Sequence, residues 1–404
     1  MSSSEWKEVK LKDLVINYSS KRIPVSSRER ESRRGEYPYY GAQGIIDCID
    51  DYIFDGEYLL IAEDGNNLKE RKENVAQIAK GKFWVNNHAH VLASNNNSDI
   101  RFVKYFLNMT DLSGYITGTA QPKLNRANLE SIRMVVPPLE EQKAIANILS
   151  SLDEKIELNN QMNKTLEEIA QALFKRWFVD FEFPNEEGEP YKSSGGEMVD
   201  SELGMIPKGW KVRMLGDLCE LSTKSEKPFD NKEVEYEHFS IPAYDEKRLP
   251  IIEKGSDISS NKYKIDNECI LISKLNPSTK RIWNPLCNTA NAICSTEFMV
   301  YRPLQPKNKS FCYEVINADK FTEFLLANVT GSTGSRQRTQ PKKTLEYKIA
   351  IQDEEIINRF SEIIKPMHDL INNNLQNNNR LMQLRDTLLP KLMSGEIRVK
   401  DLQI

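Results

Sequence analysis

The sequence predicts an α+β chain: two tandem α/β globular domains separated by two long antiparallel coiled-coil helical regions, an internal repeat of pseudo-twofold character. Three observations predict it. The first is a helical seam with period 3.5, read at Leu152, Ile156, Asn159, Asn163, Leu166, Ala170, Leu173 and Trp177. Such a period belongs to a helix that lies against another long helix. The second is that the seam recurs 215 residues on, at Met367, Ile371, Asn374, Asn378, Leu381, Arg385, Leu388 and Leu392. Apolar falls on apolar at five of the eight places and Asn on Asn at two. A polar residue at a seam costs stability and fixes register, so two shared Asn positions point to a specified pairing of one helix with the other. The third is that the segments ahead of the two helices also repeat.

In chain order, Trp6, Leu11, Asp13 and Leu14 recur as Trp210, Leu215, Asp217 and Leu218, an offset of 204. Residues 58–62 and 269–273 are short apolar runs that read as buried strands. Asp99 and Asp319 each stand before a short helical pattern and are expected to cap it. A small-residue loop then closes on Gln121, Pro122 and Lys123, and again on Gln340, Pro341 and Lys342, an offset of 219. Offsets drifting between 204 and 219 are what loop insertions do to a duplicated domain. The expected division is a first domain 1–138, a central helical region 139–183, a linker 184–209, a second domain 210–350 and a C-terminal helical region 351–404. Pro137 and Pro138 end the first domain. Residues 140–150 read as a short helix, with Ser151 or Asp153 capping the long one. Pro366 reads as a first-turn proline at the matching junction, and Gly395 as the stop of the last helix. Residues 184–196, rich in Glu, Gly, Pro and Ser, read as a flexible linker.

The net charge of −4 hides its distribution. Segment 139–204 is net −9, while segments 1–138 and 205–350 are net +1 and +5. A polyanion could therefore sit on the domains and not on the central helix. Six scattered cysteines without a C-x-x-C, and a polar stretch over residues 1–6, favour reduced thiols in a cytoplasm. No run approaches eighteen apolar residues, so no membrane span is expected.

No catalytic constellation emerges. The amino-methyltransferase motif needs Asn or Asp, two prolines and an aromatic, and Asn284-Pro285-Leu286-Cys287 lacks the last two features. There is no glycine-rich nucleotide fingerprint or Walker loop. His88 and His90 make too small a set for zinc and read as a satisfied strand pair. No catalytic, cofactor-binding or metal-ligating residue is assigned. The suggestive clusters are basic and aromatic: Arg22, Arg28, Arg30, Arg33 and Arg34, then Tyr39, Tyr40 and Gln43 in a Gly-flanked turn. Gln121 and Lys123 follow in the first loop, and Arg336, Arg338, Lys342 and Lys343 in the second. Arg and Gln can read base edges, and Lys and Arg neutralise phosphates. Solvated loop charge is the competing reading. For helix pairing the candidates are Leu152, Ile156, Asn159, Asn163, Leu166 and Leu173 with Ile371, Asn374, Asn378, Leu381 and Leu388.

The chain resembles the specificity (S) subunits of type I restriction–modification systems. The resemblance is carried by residues 37–45 (YPYYGAQGI), 58–65 (YLLIAEDG), 85–91 (VNNHAHV), 137–145 (PPLEEQKAI), 153–156 (DEKI), 170–178 (AQALFKRWF) and 201–210 (SELGMIPKGW). It implies two target-recognition domains, each reading half of a split site in double-stranded DNA, joined by the paired helices. The implied partners are two modification subunits, which methylate adenine, and restriction motor-nuclease subunits. Catalysis and cofactors would then belong to the partners. Two other classes stay open: a coiled-coil scaffold with no DNA role, and a DNA adenine methyltransferase with a fused recognition domain.

Overall fold

The structure is a computed structural model describing residues 6–118, 121–330, 337–352 and 354–401. It divides into two compact units, residues 1–155 with 381–404, and residues 156–380.

In the first unit, β1 (Lys7–Lys10) pairs antiparallel with β8 (Arg133–Val136). Between them lies a six-stranded sheet made of β2 (Val15–Asn17), β7 (Ala89–Ser94), β5 (Phe54–Ala62), β6 (Ala76–Val85), β3 (Arg34–Gly41) and β4 (Gly44–Ile49), in that spatial order. Short helices α1 (Ser27–Ser32), α2 (Asn67–Glu70), α3 (Ile100–Met109) and α4 (Arg126–Ser131) fill the connections. The apolar run at 59–62 is fully buried in the central strand β5, because both sheet faces there are covered. Asp99 caps α3 as expected, its carboxylate accepting from Arg101 N–H at 2.8 Å. Gly35 sits where a Cβ would fall 2.4 Å from the Asp50 backbone, a close approach only glycine permits.

The second unit repeats the closure: β11 (Lys211–Met214) pairs antiparallel with β23 (Lys348–Ile351). Its sheets are four-stranded, in the order β12 (Cys219–Ser222), β20 (Phe298–Pro303), β17 (Ile270–Ser273), β18 (Ile282–Trp283), and five-stranded. The latter runs β13 (Ser225–Glu226), β16 (Lys262–Lys264), β19 (Ala292–Ser295), β14 (Glu235–Phe239), β15 (Ile251–Lys254). Helices α6 (Ile241–Lys247), α7 (Lys309–Asn317), α8 (Asp319–Ala327) and α9 (Pro341–Thr344), and two small strand pairs, β9 (Met198–Val199) with β10 (Ile206–Pro207) and β21 (Val329–Thr330) with β22 (Arg338–Thr339), complete it. Asp319 is not the cap expected of it. Ala318 holds the cap position, and Asp319 is the first helical residue, its side chain in solvent.

Each β1·β8-type closure leads directly into a long helix, α5 (Leu139–Phe178) and α10 (Glu354–Ser394). The expected break near residue 150 is absent. The two residues proposed as caps have other partners: Ser151 Oγ donates back to Ile148 O at 2.8 Å, and Asp153 accepts from Tyr105 Oη at 2.6 Å and Arg385 Nη1 at 2.8 Å. Burial would push the Asp153 carboxyl up, but the Tyr105 and Arg385 hydrogen bonds hold it below the usual carboxylate range. Pro366 likewise lies inside α10 and not in its first turn. The apolar run Ile356, Ile357, Phe360 and Ile364, all buried, carries the helix into the proline from the N-terminal side. Gly395, with φ +76°, ends it.

Within the second unit, the helices run antiparallel. Asn159 Nδ2 donates to Asn378 Oδ1 and Asn374 Nδ2 to Asn163 Oδ1, both at 2.8 Å. Residue numbers rise on one helix as they fall on the other, and Trp177 reaches Phe360 with ring centroids 5.7 Å apart. Each Asn bonds to the repeat-equivalent of its neighbour, as a pseudo-twofold pairing requires. Ile156, Leu166, Leu173 and Ile371 flank them, half-buried. In the first unit, Leu152, Leu381 and Leu388 are half-buried. Asn163→Leu should therefore strand the Asn374 amide without its acceptor, costing about 1–3 kcal/mol. Replacing both by Leu removes donor and acceptor together and should recover most of that loss. Urea unfolding of the two variants checks this; equal losses would mean that the amide pair contributes nothing specific.

Residues 184–196 are not the flexible linker the composition suggests. Phe183 stacks between Tyr191 and Trp210, with centroids at 4.7 and 4.9 Å. Asn185 folds the turn by accepting from Glu187 and Glu189 N–H. Three aromatic rings outweigh a Gly- and Glu-rich sequence in deciding that this segment packs.

Candidate nucleic-acid interface

The arginines of the first cluster stand at the N-terminal end of the β3–β4 hairpin, and most are built into it. Arg22 donates to Glu63 and to the carbonyls of Ser19 and Ala89, each at 2.7 Å. Arg30 holds Asp47 at 3.0 Å and Val25 O at 2.8 Å, and lies over the Tyr39 ring. Its hydrogen bond keeps the Asp47 carboxyl below the usual range. Arg33 pairs with Asp50 at 3.0 Å and lies over the Trp84 ring. A guanidinium whose donors are spent on the protein's own carbonyls and carboxylates cannot also fork onto a base edge. Arg22 and Arg30 are therefore corrected to positioning residues, whereas among the described residues Arg33 commits only Nε and Nη2 at hydrogen-bond distance, both to Asp50. Tyr39 is corrected too: it is 1% exposed, with its hydroxyl bonded to the Val25 backbone. Tyr40 is half-buried, its ring edge-on to Phe83. Arg28 and Arg34 remain exposed.

The other end of the hairpin, roughly 23 Å away along the seven residue steps of β3, gathers a different set. Gln43 lies in the turn between Gly41 and Gly44, and its Oε1 accepts from Asn67 Nδ2 at 3.1 Å. Asn67 opens α2 in the loop that follows strand β5. That loop is laced to the Gln-Pro-Lys loop: Gly65 N–H donates to Pro122 O at 3.1 Å, and Leu124 N–H to Glu63 O at 2.8 Å. Asp64 bridges to Lys123, and Lys69 Nζ reaches Gly118 O at 3.1 Å. Gln121 and Lys123 are exposed. Beneath them His90 is buried, its Nε2 2.7 Å from Leu124 O, and burial lowers its pKa. Burial works to raise the Glu63 carboxyl, but Arg22, His90 and Lys123 hold it down. Buried charge thus anchors the loops from below, and amides and lysines face out.

The second unit builds the same junction. After β17, Asn276 N–H donates to Gln337 O at 3.0 Å and Thr339 N–H to Lys274 O at 2.9 Å, with Leu275 bridged to Arg338. Asn276 takes the left-handed backbone its turn needs, with φ +49°. Arg338 forks onto Glu297 with both contacts at 3.1 Å, and remains 52% exposed. Lys342 is exposed in α9, and Lys343 pairs with Glu346 at 2.8 Å. Arg336 lies outside the described residues. Asn67, Lys69, Lys274 and Asn276 were missed from sequence. The signal was their position directly after a buried strand, in the loop that must face the Gln-Pro-Lys segment. Among the described residues no group of His, Cys, Asp and Glu could hold a metal ion, and no helix is long and apolar enough to cross a membrane.

These features define a repeated α+β chain that carries one laced loop junction in each half. The family model described as a type I restriction modification DNA specificity domain matches residues 3–168. The MjaIX specificity subunit of Methanocaldococcus jannaschii is 30% identical over 308 residues, 73% of this chain and 66% of that protein. A putative type I specificity subunit of Haemophilus influenzae, S.HindORF215P, is 38% identical over 151 residues, 37% of this chain and 38% of that one. The chain thus spans just under two thirds of the first relative and well under half of the second. The crystal structure of a type I restriction–modification S subunit from M. genitalium superposes with TM-score 0.66 over 97% of both chains at 14% identity, which shows the fold. The chain belongs to the family of type I restriction–modification specificity subunits.

Proposed function

We propose that this chain is the DNA-reading subunit of a type I restriction–modification complex. Each globular domain, 1–138 and 210–350, takes one half of a bipartite, asymmetric site in double-stranded DNA. The helical regions 139–183 and 351–404 set the spacer and dock two modification subunits, which restriction motor-nuclease subunits join. The chain performs no chemistry of its own. The observation that carries this reading is the loop junction built twice: a post-strand loop laced to a Gln-Pro-Lys segment, with Lys123 exposed on one and Lys342 on the other. A chain that reads two half-sites needs two such ends, and a scaffold needs none. Leu158, Met162 and Ile169 on α5 and Ile363 and Leu370 on α10 are exposed apolar residues on the helices, as a surface that takes up further helices requires.

The test is to express the chain with its modification subunits and map methylated adenines in the host DNA. A split motif that vanishes when this chain is withheld is the expected result. Purified alone, the chain should transfer no methyl group, and duplex binding by the complex should fall steeply with salt. Methyl transfer by the chain alone, or methylation indifferent to its presence, would overturn the reading.

A further inference from the structure

The β3–β4 hairpin is a two-stranded ribbon at the sheet's rim. Among the described residues β4 pairs only with β3, and β3 pairs with β6 only at Tyr39 opposite Trp84 and Tyr40 opposite Val85. At its turn end, Ile45 and Ile46 are 57% and 52% exposed. Tyr39 pairs with Asp47 and Tyr40 with Ile45, so Ile46 is the extra, unpaired residue of a bulge beside the turn. Exposed β-branched residues on an open edge strand are an association hazard, which calls for a reason.

The surroundings supply one. Carboxamides ring the tip. Gln43 holds Asn67; Gln77 overhangs Gly44, where a Cβ would stand 3.7 Å from its Oε1; and a Cβ on Gly41 would stand 3.6 Å from Asn86 Nδ2 and 3.1 Å from Ile46 Cγ2. Lys69 and Lys123 belong to the loops tied to the same junction. The major groove admits a two-stranded ribbon. There carboxamides pair with adenine N6 and N7, and aliphatic carbon meets the thymine methyl. Uncharged amides, a paired aliphatic tip and flanking lysines match that groove, base edges and phosphates together.

We propose that the β3–β4 ribbon enters the major groove of the half-site read by the first domain, with Ile45 and Ile46 against a thymine C5-methyl and Gln43 on a neighbouring base edge. This rests on the DNA-reading function proposed above.

The test uses the assembled complex and duplexes carrying the mapped motif, with each thymine replaced in turn by deoxyuridine, which lacks only the methyl. One or two positions, confined to one half-site, should lose affinity by about fourfold per methyl, the worth of one buried carbon. In complexes carrying Ile45→Ser and Ile46→Ser, deoxyuridine at those positions should make no further difference, while sensitivity to changes in the other half-site persists. Equal sensitivity at thymines of both half-sites that the Ile45 and Ile46 variants leave intact overturns the proposal. So does sensitivity at no position, or sensitivity undiminished in the variants. Loss of self-association by the variants with unchanged base discrimination would assign the edge to a second copy of the chain and overturn it equally. A complex that does not prefer its motif over a scrambled duplex would instead refute the DNA-reading function itself, a separate outcome.

Discussion

Matched insertions of four residues, after Lys164 in α5 and after Asn372 in α10, should lengthen the unread spacer of the target by one or two base pairs and leave both half-sites as they are. The seam over residues 152–177 spans 26 positions, about 39 Å at 1.5 Å per residue. That approximates the roughly 34–36 Å that puts two major-groove readers on one face of a duplex. The insertion sites face each other across the pair. The Asn159–Asn378 and Asn163–Asn374 hydrogen bonds stay on one side of them, and the contact of Trp177 with Phe360 on the other. Register is therefore kept on both flanks, and the added length is about 6 Å, against 3.4 Å per base pair along the duplex. Neither loop junction is touched, so neither half-site changes. Methylation mapping of the variant decides the matter. An unchanged spacer, or altered half-sites, means that the helices are not the ruler.

The helices were legible because a period of 3.5 and a repeated Asn pair are patterns of residue type, and helical pairing follows from type and spacing alone. The cross-pairing of Asn159 with Asn378, and not with Asn374, follows from antiparallel direction, which two copies of one helix also imply. The caps were misread because Ser151 and Asp153 look like helix starts locally, and only the tertiary partners Tyr105 and Arg385 show why the helix continues. The arginine cluster was misread for a related reason. Five arginines within thirteen positions look like one surface, but whether a guanidinium faces solvent depends on acceptors 17 to 67 residues distant, such as Asp47 and the Ala89 carbonyl. The Gln-Pro-Lys loops were found because they are contiguous in sequence. Their partners after β5 and β17 were not, because that contact is made only by folding. Ile45 and Ile46 carry no sequence signal of exposure, since an alternating or apolar run beside Tyr39 and Tyr40 reads as core.

Glu314→Ala should be among the most damaging single changes in the second unit. Glu314 sits on α7 with its side chain 1% exposed, and its Oε1 lies 2.6 Å from His368 Nε2 on α10. Its other oxygen accepts from Gln171 Nε2 on α5. One carboxylate thus keys a helix of the second domain to both long helices, with the Tyr313 ring edge-on to His368 at 4.8 Å. Removing it leaves the buried imidazole and the half-buried Gln171 amide without their acceptor, and each polar group so stranded costs about 1–3 kcal/mol. Glu314→Gln keeps the shape and one carbonyl oxygen, so it should cost distinctly less. Because the chain has two units, one melting temperature does not describe it. Hydrogen exchange of the α7 and α10 amides, compared with that of β5 in the first unit, isolates the effect. The expected result is faster exchange in the second unit for the alanine variant, a smaller change for the glutamine variant and none in β5. Reading of the second half-site should weaken in the same order, since α7 positions the sheet that carries its loop junction. Equal behaviour of the two variants would show that the carboxylate serves there only as packing volume.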